Sequence, residues 1–140
     1  MERFVRLRPE EPLANYYLAL GLSRESTGRN QDTDRIESLL QKSVHLDPKF
    51  EAGYLHLGIL HFDRKEYSKA ISDYQRTIAL NSEMEEAHYR LAQAYKQMGD
   101  MDKSNEESRI YSQLAQKKAK QVERERHEIQ QFVYSLQAKP

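Results

Sequence analysis

The segment EAGYLHLGILHFDRKEYSKAISDYQRTIAL, residues 51–80, has the apolar pattern of two amphipathic helices joined by a short turn. Apolar and small residues recur at steps of three and four, which places them on one face of a helix. The pattern predicts helices over about residues 51–64 and 67–80. Pro48 ends the preceding unit, because proline cannot continue a helix. The faces consist of Tyr54, Leu57, Gly58 and His61, and then of Ala70, Ile71, Tyr74, Thr77 and Ile78.

The same unit occurs several times along the chain. A leucine closes an apolar helix end in each unit, and the spacings between these leucines are 39, 34 and 34 residues. A fixed helical period of this length predicts helix pairs stacked in a row rather than a closed globular core. The closing leucines are Leu7, Leu46, Leu80 and Leu114. A second register pairs a leucine with a small residue, which is predicted to let the second helix of the unit approach closely. These pairs are Leu18-Ala19, Leu57-Gly58 and Leu91-Ala92.

These units resemble the tetratricopeptide repeat over about residues 4–115, through the joint register of three units rather than through one motif. The resemblance implies an all-α fold, a right-handed solenoid of antiparallel helix pairs with three repeats. A long C-terminal helix is expected to follow. The matching residues are Leu18-Ala19, Leu46 and Pro48 in the first unit, Leu57-Gly58, Tyr67, Ala70, Tyr74 and Leu80 in the second, and Leu91-Ala92, Tyr95, Gly99 and Leu114 in the third.

Some positions depart from the family pattern. Asn15 and His88 stand where the family has an aromatic residue early in the first helix. Ile36 and Ser104 replace the alanine of the second helix, and Ser82 replaces the proline after the second unit. The third unit is therefore interpreted as a divergent terminal repeat.

The register divides the chain into segments. Residues 1–9 correspond to the tail of a preceding repeat, 10–48 to repeat 1, 49–82 to repeat 2, 83–116 to repeat 3 and 117–137 to a C-terminal helix extension. Repeat 1 has five extra residues in the polar stretch 25–34, which is predicted to be a loop with Thr33 or Asp34 capping the next helix. Because the chain begins within a unit, we expect a fragment of a longer bacterial-type repeat protein. A natural start with a short cap is the alternative.

Composition excludes several classes of function. The 140 residues carry 22 basic and 22 acidic side chains, and this balance disfavours nucleic-acid binding. No apolar run is long enough to insert into a membrane. Cysteine is absent, so thiolate metal sites and disulfides are excluded. The compartment stays open, with the cytoplasm slightly favoured over the periplasm.

The sequence contains no pattern typical of an active site. None of the five histidines lies three or four residues from another, and there is no phosphate-binding glycine loop or nucleophile motif. His61 is interpreted as a packed core residue, and Asp63 and Asp73 as surface acids on different helices. We therefore predict a protein without enzymatic activity, metal or cofactor.

Residues 101–137 contain neither proline nor glycine and are predicted to form one long helix. Near its end, an apolar stripe consists of Ile129, Phe132, Val133 and Leu136. Such a stripe requires a partner surface. It either packs back on this chain or on a remainder of the protein, or joins two chains as a homodimer. The companion seam consists of Lys118, Glu125 and Phe132, and its charged residues argue against a long coiled coil.

In the tetratricopeptide family, the first helices of successive units line a concave groove in which short peptides lie. By resemblance, the candidate groove residues are Tyr16, Leu20, Ser23 and Arg24, then Leu55, Ile59, Phe62 and Asp63, then Tyr89, Gln93, Lys96 and Gln97. Leu20, Leu55 and Ile59 have a second interpretation as core residues between units. Family members that bind the acidic tails of chaperones carry lysine, arginine and asparagine at particular groove positions. In this chain those positions are occupied by Tyr16, Leu20, Leu55 and Ile59. An apolar segment therefore fits better than an acidic tail.

Three functional hypotheses follow. The first is a protein-interaction scaffold that binds a peptide or helix of a partner protein in the groove. The second is a structural module that self-associates through its C-terminal helix. The third is the regulatory arm of a larger enzyme or sensor.

Overall fold

The computed structural model describes residues 10–25 and 30–138, which form α-helices and turns. The predicted repeat tail at 1–9 and the centre of the predicted loop, 26–29, lie outside these residues. The helices are α1 (Pro12–Glu25), α2 (Asn30–Leu46), α3 (Glu51–Asp63), α4 (Tyr67–Leu80), α5 (Glu85–Gln97) and α6 (Met101–Gln137). Consecutive helices pack on each other, and α3 also contacts α5. This confirms the predicted all-α solenoid of antiparallel pairs.

The helices of one pair approach most closely at Gly58. A Cβ atom on this residue would lie 2.4 Å from a ring carbon of Tyr74, well inside van der Waals contact. Tyr74 itself is 1% exposed. The corresponding small residues Ala19 and Ala92 are also buried. The small residue after each repeat leucine therefore admits the neighbouring helix, as the sequence pattern predicted.

The core consists of two clusters, one on either side of α3. The first joins α3, α4 and α5, and the second joins α1, α2 and α3. Because α3 contributes to both clusters, it is the central helix of the stack. The first cluster contains Leu55, Ala70, Tyr74, Ala87, Leu91, Ala94 and Tyr95. The second contains Ala19, Ile36, Leu40 and Leu57.

The turns between helices use specific backbone conformations. Gly99 follows α5 with a φ of 80°, a left-handed conformation that suits glycine past a helix end. Asp100 then caps α6, because its carboxylate accepts a hydrogen bond from the Lys103 backbone N–H at 3.2 Å. Lys65, between α3 and α4, also has a positive φ, of 64°.

The predicted cap of the second helix was wrong. Helix α2 begins at Asn30, so Thr33 and Asp34 lie inside the helix rather than at its cap. The polar residues after Asn30 join the helix because Ile36 and Leu40 anchor it in the second core cluster.

Ser104 is buried at 6% exposure and donates its hydroxyl to the Ala92 carbonyl at 2.8 Å. This bond satisfies the polar group at a position where the family has alanine.

Helix α6 is 37 residues long and, as predicted, continues without interruption beyond the third unit. At 1.5 Å per residue it spans about 55 Å. Every residue from 116 to 138 is exposed, so the stripe does not pack back on the described part of the chain. The extension is joined to the repeats at its base, where Lys117 and Lys118 pair with Glu83 and Glu85 at 2.9 and 3.0 Å.

Candidate functional site

A small cleft of about 50 Å³ opens between the first helices of repeats 1 and 2. Leu20 of α1 and Ile59 of α3 both line it, and both side chains are partly buried. Ser23 and Asp63 are exposed at its rim. The cleft therefore combines apolar walls with polar groups at its mouth, an arrangement suited to an aliphatic side chain of a ligand. Its remaining lining residues are Ala19, Ile36, Leu40, His56 and Leu60.

The predicted groove residues differ in accessibility. Arg24, Tyr89 and Lys96 are exposed, and Gln93 is partly exposed. Leu55 is 6% exposed within the first core cluster, so it packs between units instead of lining a groove. This alternative was open from the sequence, because a helix face between two units is also apolar.

Two of the predicted groove residues are aromatic, and their rings pack against other rings of the chain. The Tyr16 ring contacts Phe50 edge-on, with centroids 4.9 Å apart. The Phe62 ring contacts Tyr67 in the same way at 5.2 Å. Both residues also lie against the core clusters, so a large part of each side chain serves the packing between helices.

A polar group beside the cleft was missed in the sequence. Burial lowers the pKa of His56, and Arg90 lowers it further while Glu86 opposes this change. Arg90 itself pairs with Glu86 at 3.0 Å. His56 lies on α3, and Glu86 and Arg90 lie on α5, which are the first helices of repeats 2 and 3. His56 and Arg90 lie 34 residues apart, one repeat period, and this equivalence was the signal available in the sequence.

A second polar cluster joins α2, α3 and α4. The His61 ring is 6% exposed and contacts two carboxylates, Asp73 through Nδ1 at 2.5 Å and Glu37 through Nε2 at 2.9 Å. Arg64 also donates to Glu37, at 2.7 Å. Asp73 is therefore a partly buried partner of His61 rather than a separate surface acid.

The electrostatics of this cluster favour a charged imidazole. Burial opposes the charge, but the hydrogen bonds to Glu37 and Asp73 outweigh it and raise the pKa of His61. Both ring nitrogens then donate to carboxylate oxygens. In the described ranges, no group of three or more acidic or histidine residues is arranged to hold a metal ion. The hydrogen bonds of the His61 cluster link α2, α3 and α4.

The apolar stripe of α6 is highly accessible. Ile129 and Phe132 are each 64% exposed, Val133 is 45% and Leu136 is 52% exposed. Large apolar side chains at such exposure on consecutive turns form a contiguous patch. The same helix is not a membrane span, because none of the helices in the described segments is both long and apolar enough to cross a bilayer.

Comparison with known proteins assigns the fold. A family model described as TPR repeat matches residues 60–99, which include the whole of α4 and α5. This match supports a tetratricopeptide repeat protein, as the repeat pattern predicted. A comparison with curated protein sequences gives no match.

Several solved structures share this fold. A crystal structure of MamA superposes with a TM-score of 0.77 at 24% identity, over 85% of this chain and 67% of MamA. A second MamA structure is covered over 62% of its length, so the chain spans about two thirds of these proteins. The second TPR of Spaghetti (RPAP3), bound to the HSP90 peptide SRMEEVD, has a TM-score of 0.68 at 13% identity, over 81% of this chain and 99% of that one.

Proposed function

We propose that this chain is a non-enzymatic protein-interaction scaffold that binds a peptide or helix segment of a partner on its first-helix surface. We define this surface as the exposed side of α1, α3 and α5. The single observation that carries the proposal is the cleft between Leu20 and Ile59, which is apolar inside and polar at its rim. The peptide-bound Spaghetti domain, which has the same fold, supports this class of function.

The charges on the exposed side of α1, α3 and α5 indicate the kind of segment that fits. Arg24 and Lys96 are basic, whereas Asp63 and Glu86 are acidic, and all four are exposed. A surface of mixed charge selects neither a strongly acidic nor a strongly basic segment. We therefore propose a ligand with one aliphatic anchor for the cleft and flanking polar residues of both signs.

The proposal is tested by blocking the cleft. We expect Ser23→Tyr to weaken the binding of a selected peptide at least tenfold, because the new ring covers the space between Leu20 and Ile59. Ser23 is exposed, so the fold should tolerate the change. Peptides are first selected from a displayed random library with the unchanged protein. Their affinities are then measured by fluorescence anisotropy.

The matched control is Ser72→Tyr, which places the same ring on exposed α4 away from the cleft. It should leave the affinity unchanged within about twofold, a difference of less than about 0.5 kcal/mol. The acidic peptide SRMEEVD is expected to bind more weakly than selected peptides, since apolar Leu20 and Ile59 line the cleft. Equal binding to the two tyrosine variants would contradict the proposed site.

A further inference from the structure

The apolar stripe of α6 continues the face on which α5 packs. Eighteen residues are five turns of an α-helix, so positions 18 apart lie on the same side. Ser104, Tyr111 and Lys118 contact α5 through Ala92, Tyr89 and Glu85. Eighteen residues further along stand Val122, Ile129 and Leu136. Beyond the start of α5, the packing face therefore continues with apolar residues, and no helix of the described ranges 10–25 and 30–138 covers it.

This face has a heptad pattern of apolar residues. It differs from the series through Lys118, Glu125 and Phe132, which contains charged residues. Alternating steps of four and three residues connect one apolar or small residue to the next, with Arg126 as the single interruption. Such a pattern is typical of a seam between two helices. The complete seam is Ala115, Ala119, Val122, Arg126, Ile129, Val133 and Leu136.

We propose that a second copy of this chain covers the stripe, with the two α6 helices antiparallel over residues 119–136. In this register Ala119 faces Leu136 of the other copy, Val122 faces Val133 and Arg126 faces Ile129. Each apolar seam residue within 119–136 then packs against a seam residue of the partner helix. The overlap is roughly 27 Å long at 1.5 Å per residue.

The position of α5 determines the direction of the second helix. In a parallel dimer, the base of the second α6 would occupy the space that α5 already fills on this face. In the antiparallel dimer, the end of the second α6 stops at Ala119, next to Glu85 at the start of α5. A shallow hollow at this place is lined by Glu85, Ala115, Lys118, Ala119, Val122, Glu123 and Arg126. The second helix thus continues the line of α5.

Charge supports the same direction. A parallel dimer would place Arg126 against Arg126 in one layer of the seam, and like charges there repel. The antiparallel register places each guanidinium beside Ile129, where its long aliphatic stem can pack and its charged end can reach solvent. The Arg126 side chain is 64% exposed, so it is available for this placement.

The part of α6 beyond the repeats is not stabilised by burial against the rest of the described chain. Residues 119–137 form a helix whose side chains are all exposed, and a single helix of this length is marginal in water without tertiary contacts. A second helix on the stripe supplies those contacts. Because the interface is small, we expect a dimer that dissociates at micromolar concentrations.

The first experiment measures the solution mass of the whole chain by analytical ultracentrifugation over a wide concentration range. We expect a reversible monomer–dimer equilibrium. Ile129→Asp should weaken it at least tenfold, whereas Gln131→Asp, which adds the same charge on the opposite side of α6, should leave it unchanged within about twofold. A monomer at all concentrations, or equal effects of the two variants, would overturn the proposal.

The second experiment tests the register, and it uses the absence of cysteine from the chain. Val122→Cys and Val133→Cys should form a disulfide-linked dimer when the two variants are mixed and oxidised, because these positions face each other. Neither variant alone should cross-link efficiently. Efficient cross-linking of each variant with itself indicates a parallel dimer and would contradict the antiparallel register.

Discussion

Tyr74→Ala is expected to lower the free energy of unfolding by about 3–5 kcal/mol, the usual loss when a large buried aromatic side chain is truncated. Tyr74 is 1% exposed and lies in the cluster that joins α3, α4 and α5. Burial also raises the pKa of its hydroxyl to about 12, with Arg90 as a partly compensating neighbour. Urea denaturation followed by circular dichroism measures the change. Tyr74→Phe keeps the ring and should cost only about 1 kcal/mol.

The close contact between Tyr74 and Gly58 provides a control for this interpretation. In the unchanged protein, Gly58→Ala should be destabilising by about 1–3 kcal/mol, because the new methyl group overlaps the Tyr74 ring. In the Tyr74→Ala background, the ring is gone, and the same substitution should stabilise the helix by about 0.5–1 kcal/mol. Additive effects in this double-mutant cycle would show that the two residues do not limit each other.

His61→Gln is expected to lower the free energy of unfolding by about 2 kcal/mol near pH 6. The substitution removes the cation that bridges Glu37 and Asp73. A larger loss is not expected, because these carboxylates keep 20% and 18% of their side-chain exposure and remain partly solvated. Urea denaturation of the unchanged protein and the variant at a series of pH values measures the difference.

The pH dependence of this difference has a definite sign. The pKa of His61 is raised in the folded protein, so its stabilising contribution is complete below the ordinary value of about 6.5 and is lost as the pH rises through the folded value. The stability curves of the unchanged protein and of His61→Gln should therefore converge toward alkaline pH. Curves that stay parallel, or that converge toward acid, would contradict a charged His61 at this junction.

The helix pairs were predictable because their signals are local. Steps of three and four residues predicted α3 and α4 nearly to the residue, and the absence of proline and glycine predicted the full length of α6. The start of α2 was wrong because residues 30–34 are polar and have turn and cap preferences. The neighbouring helices overcome these preferences by burying Ile36 and Leu40.

The candidate site was only partly predictable. Equivalent positions in successive repeats identify residues of the first helices. They do not distinguish a residue that faces a neighbouring unit from one that faces a ligand. Leu55 and Ile59 both have apolar side chains on α3, yet Leu55 is buried in the core while Ile59 reaches the cleft. The two residues lie on nearly the same face of α3, so the difference depends on how side chains of several units fill the space beside each of them.

The amino-acid sequence alone determined the repeat period, the place of the close helix contact at Gly58 and the uninterrupted C-terminal helix. The period follows from the spacing of equivalent residues along the chain, and the other two depend on residues close in sequence. Only the tertiary structure decided which distant polar residues meet. Glu37 and Asp73 lie 24 and 12 residues from His61, and stacking of three helices brings them to one imidazole. It also exposed the stripe at Ile129, because α5 begins opposite Lys118 and covers the same face of α6 only up to that point.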